Sequence, residues 1–196
     1  MMFDPPQAPR LTGTEPFEGV EAAVIDFWRF AMTDLRTNNV RGYLAEFLVA
    51  RAVGSTAARV EWAPWDVTSP NGARIEVKSS GYLQAWGQSK LSVPRFQVGA
   101  AYGWDEATGA WSTTQLFHAD AYVFGLHTAV THDEYDPLAV SQWQFYVTGR
   151  EAIATQAGAS MSLTTLSSTA GRPHPFSELD EAIASAAEPS RVRRSN

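Results

Sequence analysis

The chain reads as an α/β protein with a central mixed β-sheet flanked by helices, and three observations carry that reading. Two segments in the first third repeat apolar residues at helical spacing, residues 66–78 have the signature of a β-hairpin, and residues 119–127 form a nearly continuous apolar run of strand length. At 196 residues and 44% hydrophobic, the chain can bury one well-formed core and is short for two full domains. A single domain over 14–188 is therefore expected, preceded by a loose Pro-rich segment, 1–13, and followed by a basic tail, 189–196.

A first helix is expected over 15–36. Thr14 can cap it, Pro16 suits its first turn, and Phe17, Val20, Val24, Phe27, Trp28, Ala31, Met32 and Leu35 form a stripe read as core. A second follows over 40–54, with apolar residues at Val40, Tyr43, Leu44, Phe47 and Leu48 and Gly54 as the stop. Next comes the hairpin. Its connector, Ser69-Pro70-Asn71-Gly72-Ala73, has Pro for the first bend and Gly where φ must turn positive, so a loop of Pro70, Asn71 and Gly72 should close it. Further strands are expected over 92–98, where Pro94 suits an edge or a strand start, and over 119–127 paired with 143–147, the latter two buried. Acids and a glycine between Trp104 and Trp111 mark a structural turn. The sequence 150–154 starts a short helix, 158–175 is loop or Thr-rich strand, and 177–183 is a capped helix with acids in its first turn. His132, Asp133, Glu134 and Asp136 are read as a solvated loop, because contiguous residues rarely converge on one ion.

The hairpin also concentrates chemistry. Pairing Ser69 with Ala73 places Asp66 opposite Glu76, and two like charges directly opposed on an antiparallel pair repel unless a cation lies between them. Side chains alternate along a strand, so Arg74, Glu76 and Lys78 share one face and Ile75 and Val77 the other. Lys78 is one of only two lysines, with Lys90, against 13 arginines. A compact ammonium that can lose its proton when buried is chemically distinct from a guanidinium. On the second helix, Glu46 shares a side with Gly42, Ala45, Val49, Ala50 and Val53, which implies close packing and a partly desolvated carboxylate that needs a cation or donors. The plain alternatives are a wet charged strand and a Glu46 that meets Arg41 or solvent. After Lys78, the residues Tyr82, Gln84, Trp86 and Lys90, with Arg95 and Gln97 beyond them, are candidates to line a nucleic-acid groove.

A helix glutamate (Glu46), a strand aspartate (Asp66) and then Glu76-Val77-Lys78 on the next strand resemble the PD-(D/E)XK nuclease superfamily, which has the restriction-endonuclease-like fold. The resemblance covers roughly residues 40–150. It implies that Glu46, Asp66 and Glu76 ligate Mg²⁺, for which Mn²⁺ can substitute, and that Lys78 orients or helps activate the attacking water. It further implies DNA as the partner and a possible homodimer. One departure is visible: the signature's proline normally precedes its aspartate directly, whereas here the order is Pro64-Trp65-Asp66. The alternative within the same fold is a catalytically silent protein that binds nucleic acid or a protein partner.

A net charge of −6 opposes nucleic-acid binding overall. The basic residues, however, bunch between Arg36 and Arg95 while acids gather after residue 130, as expected of a local phosphate-binding face. With no cysteine, no signal-peptide pattern at its start and no apolar run long enough to span a bilayer, the chain is expected to be cytoplasmic. It contains neither a glycine-rich phosphate loop nor a Gly-x-Ser-x-Gly elbow, which argues against NTPase and serine-hydrolase chemistry.

Overall fold

The structure is a computed structural model that describes residues 10–61, 63–105, 109–156 and 158–195, without the side chains of 105 and 189–195. The chain divides into two compact units, Met1–Leu35 and Arg36–Asn196.

In the first unit, helix α1 spans only Val24–Ala31. The helix expected from residue 15 is replaced at its start by a tight turn. Pro16 bridges Ala23, Phe17 N donates to Ala22 O (3.0 Å), Val24 N donates to Glu15 O (3.0 Å), and Gly19 has φ +77°. Glu15 is committed elsewhere: its carboxylate accepts from the backbone N–H groups of Thr12 and Gly13, and those bonds hold its pKa down to about 2. Of the stripe expected to be core, Val24 is buried while Phe17, Val20, Phe27 and Met32 are exposed. A unit of this size has too little chain to enclose a full apolar stripe.

The second unit opens with α2, Asn38–Ala52, closed by Gly54 at φ +69°. Its core face is Arg41, Ala45, Leu48 and Val49, whereas Tyr43 and Phe47 of the expected stripe are exposed. Small residues win here because they let the helix backbone approach the sheet. β1 (Val67–Thr68) and β2 (Arg74–Gly81) form the expected hairpin, with Val67 opposite Ile75 and Thr68 opposite Arg74. Ser69 N bonds Ala73 O (2.9 Å), and Gly72 takes φ +83°.

β2 then pairs in parallel with β6 (Ala121–His127), and β6 pairs antiparallel with β7 (Trp143–Gly149), giving a mixed four-stranded sheet of order β1-β2-β6-β7. β6 is buried along its whole length. One sheet face packs Ile75, Val77, Val123, Phe145 and Val147 against α2 and α5 (Leu179–Ser195). On the other face Phe96, Phe124, Tyr146, Met161 and Leu166 form a second cluster. These last come in part from a small sheet of β3 (Arg95–Gln97) with β8 (Ser160–Ser162), and from helix α4 (Leu163–Ala170). A separate hairpin joins β4 (Ala101–Asp105) to β5 (Ala110–Leu116), with Trp104 opposite Trp111. The short helix α3, Arg150–Ala154, follows β7 directly.

Two expectations for the C-terminal third need correction. Residues 163–170 are helix, neither loop nor strand: Ser162 Oγ caps Thr165 N, Leu166 is buried, and Ser168 and Thr169 satisfy their hydroxyls on carbonyls four residues back. The segment expected as a basic tail continues α5 with helical backbone to Ser195.

α5 lies so close to β7 that a Cβ built on Gly149 would stand 2.8 Å from Ala186 O. The obstacle is backbone and cannot rotate away. Gly149→Ala is therefore expected to destabilise the unit by about 1–3 kcal/mol, the usual cost of forcing atoms into a filled core. Denaturant midpoints of the two proteins measure it, and an unchanged midpoint would place α5 further from the sheet.

Candidate active site

The register of the sheet lays out one face row by row. Across β2, β6 and β7, the row Glu76, Tyr122 and Thr148 is followed two residues along by Lys78, Phe124 and Tyr146. Glu76 and Lys78 therefore share a face, as their alternation requires, and their side chains form an ion pair, with 34% of the lysine and 21% of the glutamate exposed. Asp66 stands where the hairpin ladder gives way. Its N–H still bonds Ile75 O (3.0 Å), and its carboxylate, where a further ladder carbonyl would be, accepts from Val77 N at 2.7 Å. Glu46 projects from the middle of α2 with only 14% of its side chain exposed. Its partner is Arg59, at 2.8 Å, and not Arg41 or solvent; Arg59 also pairs with Glu61 and lies 4.7 Å above the Tyr43 ring.

These groups feel one another. Burial first, and then the charge of Asp66, push the Glu46 carboxyl above its ordinary pKa despite Arg59. Glu76 is also raised, by burial and by Asp66, against the opposing pull of Lys78. For Lys78, burial alone would lower the pKa, but Glu76, with Asp66 and Glu46, overcomes it and the net shift is upward. The neighbouring carboxylates thus favour the ammonium form of Lys78 in this conformation. Tyr122, beside Glu76 in its row, is kept neutral by burial and by that carboxylate.

The donor set has the chemistry a hard divalent cation takes: three carboxylates, two of them with raised pKa values, on a helix and the hairpin near it. In the conformation described, each carboxylate is turned to its own partner, Glu46 to Arg59, Glu76 to Lys78 and Asp66 to Val77 N. No three His, Asp or Glu side chains among the described residues stand close enough to enclose an ion. Glu46 and Glu76 would have to leave their ion pairs to ligate a shared metal.

The groove candidates separate. Gln84 is buried and works inside its own loop, donating from Nε2 to Ser92 Oγ (3.1 Å) and Gly81 O (3.4 Å), so it is not a groove residue. Tyr82 packs against the second core cluster. Trp86 is 57% exposed, and Lys90, Arg95 and Gln97 are exposed as well, with Arg95 NH1 donating to Ser160 Oγ (3.3 Å).

Several neighbours of the site were not singled out from sequence. Tyr122 could have been found from the parity of its strand once the parallel pairing was known. Arg59 was legible only as one of the basic residues that bunch between Arg36 and Arg95, and His118, whose ring acts electrostatically on Glu76 and bonds Ala101 O at 2.8 Å, carries no local signal. No protein-family model matches the chain, and no curated protein matches it either.

Proposed function

We propose that the chain is a divalent-metal-dependent nuclease that hydrolyses DNA phosphodiester bonds, with Mg²⁺, or Mn²⁺ in its place, held by Glu46, Asp66 and Glu76. The carrying observation is that the helix glutamate and the glutamate of the Glu76–Lys78 pair both feel the hairpin aspartate, each pushed up in pKa by burial and by Asp66. The ion would neutralise charge on the phosphate and activate water. Lys78, beside Glu76 on the same strand face, would orient the water and stabilise charge developing in the transition state. Tyr122, Phe124 and Tyr146, all buried, lie beside the Glu76–Lys78 pair on the same sheet face. No helix among the described residues is long and apolar enough to cross a membrane.

The ion pairs Glu46–Arg59 and Glu76–Lys78 favour a second reading, a catalytically silent relative of the same fold that binds nucleic acid or protein, since each acid is already neutralised locally. Incubating supercoiled plasmid with the protein and Mg²⁺, with and without EDTA, separates the two. EDTA-sensitive nicking that Glu76→Gln abolishes supports the nuclease, and intact plasmid under all conditions supports the silent protein. Glu46→Gln is expected to keep the fold and lower the apparent Mg²⁺ affinity of cleavage about tenfold, read from rate against Mg²⁺ concentration. Wild-type metal dependence would reduce Glu46 to a partner of Arg59.

A further inference from the structure

One row below Glu76 on the same sheet face, the register aligns Arg74 of β2 and Asp120, which immediately precedes β6, with Arg150 beside them. The Asp120 side chain is fully buried and receives both arginines: Arg74 Nε and NH2 at 3.3 and 3.0 Å, and Arg150 NH2. Arg74 N also donates to it (3.0 Å), and Arg150 Nε donates to Ala119 O (2.7 Å). The Trp65 ring lies 5.1 Å from the Arg74 guanidinium. Two guanidiniums on one carboxylate leave one positive charge in excess. Neither NH1 group has a hydrogen bond among the described residues, and the arginine side chains remain 20% and 28% exposed.

We propose that this row is a phosphate-binding site. Its ligand is a backbone phosphate of the substrate strand, held two residues along β2 from Glu76, about 6.6 Å by strand geometry. The proposal rests on the reading of the substrate as nucleic acid. Guanidinium forks suit phosphate oxygens, and here Asp120, Ala119 O and Trp65 have already fixed their orientation, so little side-chain entropy is lost on binding. The excess charge also lies beside the acids of the candidate centre, where an incoming polyanion most needs compensation.

The test uses the full chain in EDTA, so that affinity is measured without cleavage. Titration with a short oligothymidylate is expected to shift the arginine Nε–H NMR signals of Arg74 and Arg150, assigned through Arg74→Lys and Arg150→Lys. Arg150→Gln should weaken binding about five- to tenfold and reduce the slope of log affinity against log salt by about 0.7–0.9, the value for one lost phosphate contact. If Arg150→Gln fails to fold, the NMR titration of the native protein decides alone. Unmoved arginine signals, or a folded Arg150→Gln with native affinity and salt slope, overturn the proposal and leave a clamp on the strand ends. Failure of the nuclease reading is seen separately, as intact plasmid with Mg²⁺ despite shifted arginine signals.

Discussion

Lys78→Arg is expected to slow DNA cleavage by at least about a hundredfold while leaving DNA affinity within several-fold of the native protein. Arginine keeps the positive charge, so attraction to phosphate largely survives. What it cannot keep is the compact ammonium fitted against Glu76 in a row bounded by Phe124 and Tyr146. A planar guanidinium is wider and its donors point along fixed directions, so an oriented water would be displaced. The magnitude is that of one lost charge-stabilising contact in a transition state. Lys78→Ala should lose cleavage and also weaken binding in a salt-dependent manner. Turnover and oligonucleotide affinity of both variants, measured side by side, decide the role; near-native turnover in Lys78→Arg would mean that Lys78 supplies charge alone.

Saturating Mn²⁺ is expected to raise the melting temperature of the native protein, and Glu76→Gln to abolish that rise, because a ligand that binds only the folded state stabilises it by mass action. The pH dependence follows from the raised Glu46 and Glu76. Both fold with pKa values above the ordinary 4.5, so their contribution favours the folded state at low pH and is lost as pH rises through the folded values. Without metal, these two groups therefore make the protein less stable above that window than below it. Mn²⁺ should reverse this part of the trend, giving a larger increase in melting temperature at pH 7.5 than at pH 5, where protons compete for the same oxygens. Thermal melts at both pH values with and without Mn²⁺ measure it. An equal rise in native protein and Glu76→Gln would remove Glu76 from the ligand set.

Local chemistry made the hairpin legible. Pro70 and Gly72 set the loop, the loop set the register, and the register set which side chains share the face of Glu76. Helix α2 was legible in extent, through Gly54, and in the close packing of its small side at Ala45 and Val49, whereas Tyr43 and Phe47 of the large-residue stripe are exposed. At 15–23 the helical spacing misled, since Pro16, Gly19 and the committed carboxylate of Glu15 stabilise a turn instead. α4 was hidden by hydroxyl residues of middling helix propensity and is sustained by one cap and one buried leucine. The Arg74–Asp120–Arg150 row was invisible for a different reason: it exists only through the parallel pairing of β2 with β6, and no local pattern specifies a partner that far along the chain.

That parallel pairing also sets the order in which the site can assemble. Asp66 and Glu76 meet through a short loop, whose closure costs little entropy, whereas Arg74 and Asp120 are 46 residues apart and must await a long crossover. During refolding the acidic pair, with Arg74 on the same hairpin, should thus be present before Asp120 and Arg150 arrive. In pulse-labelled hydrogen exchange, the amide of Val77, bonded to Asp66, should gain protection ahead of Asp120 N, which bonds Arg74 O at 2.7 Å. In a nascent chain, the residues proposed to hold the metal would then be gathered while the sheet that buries them is still incomplete.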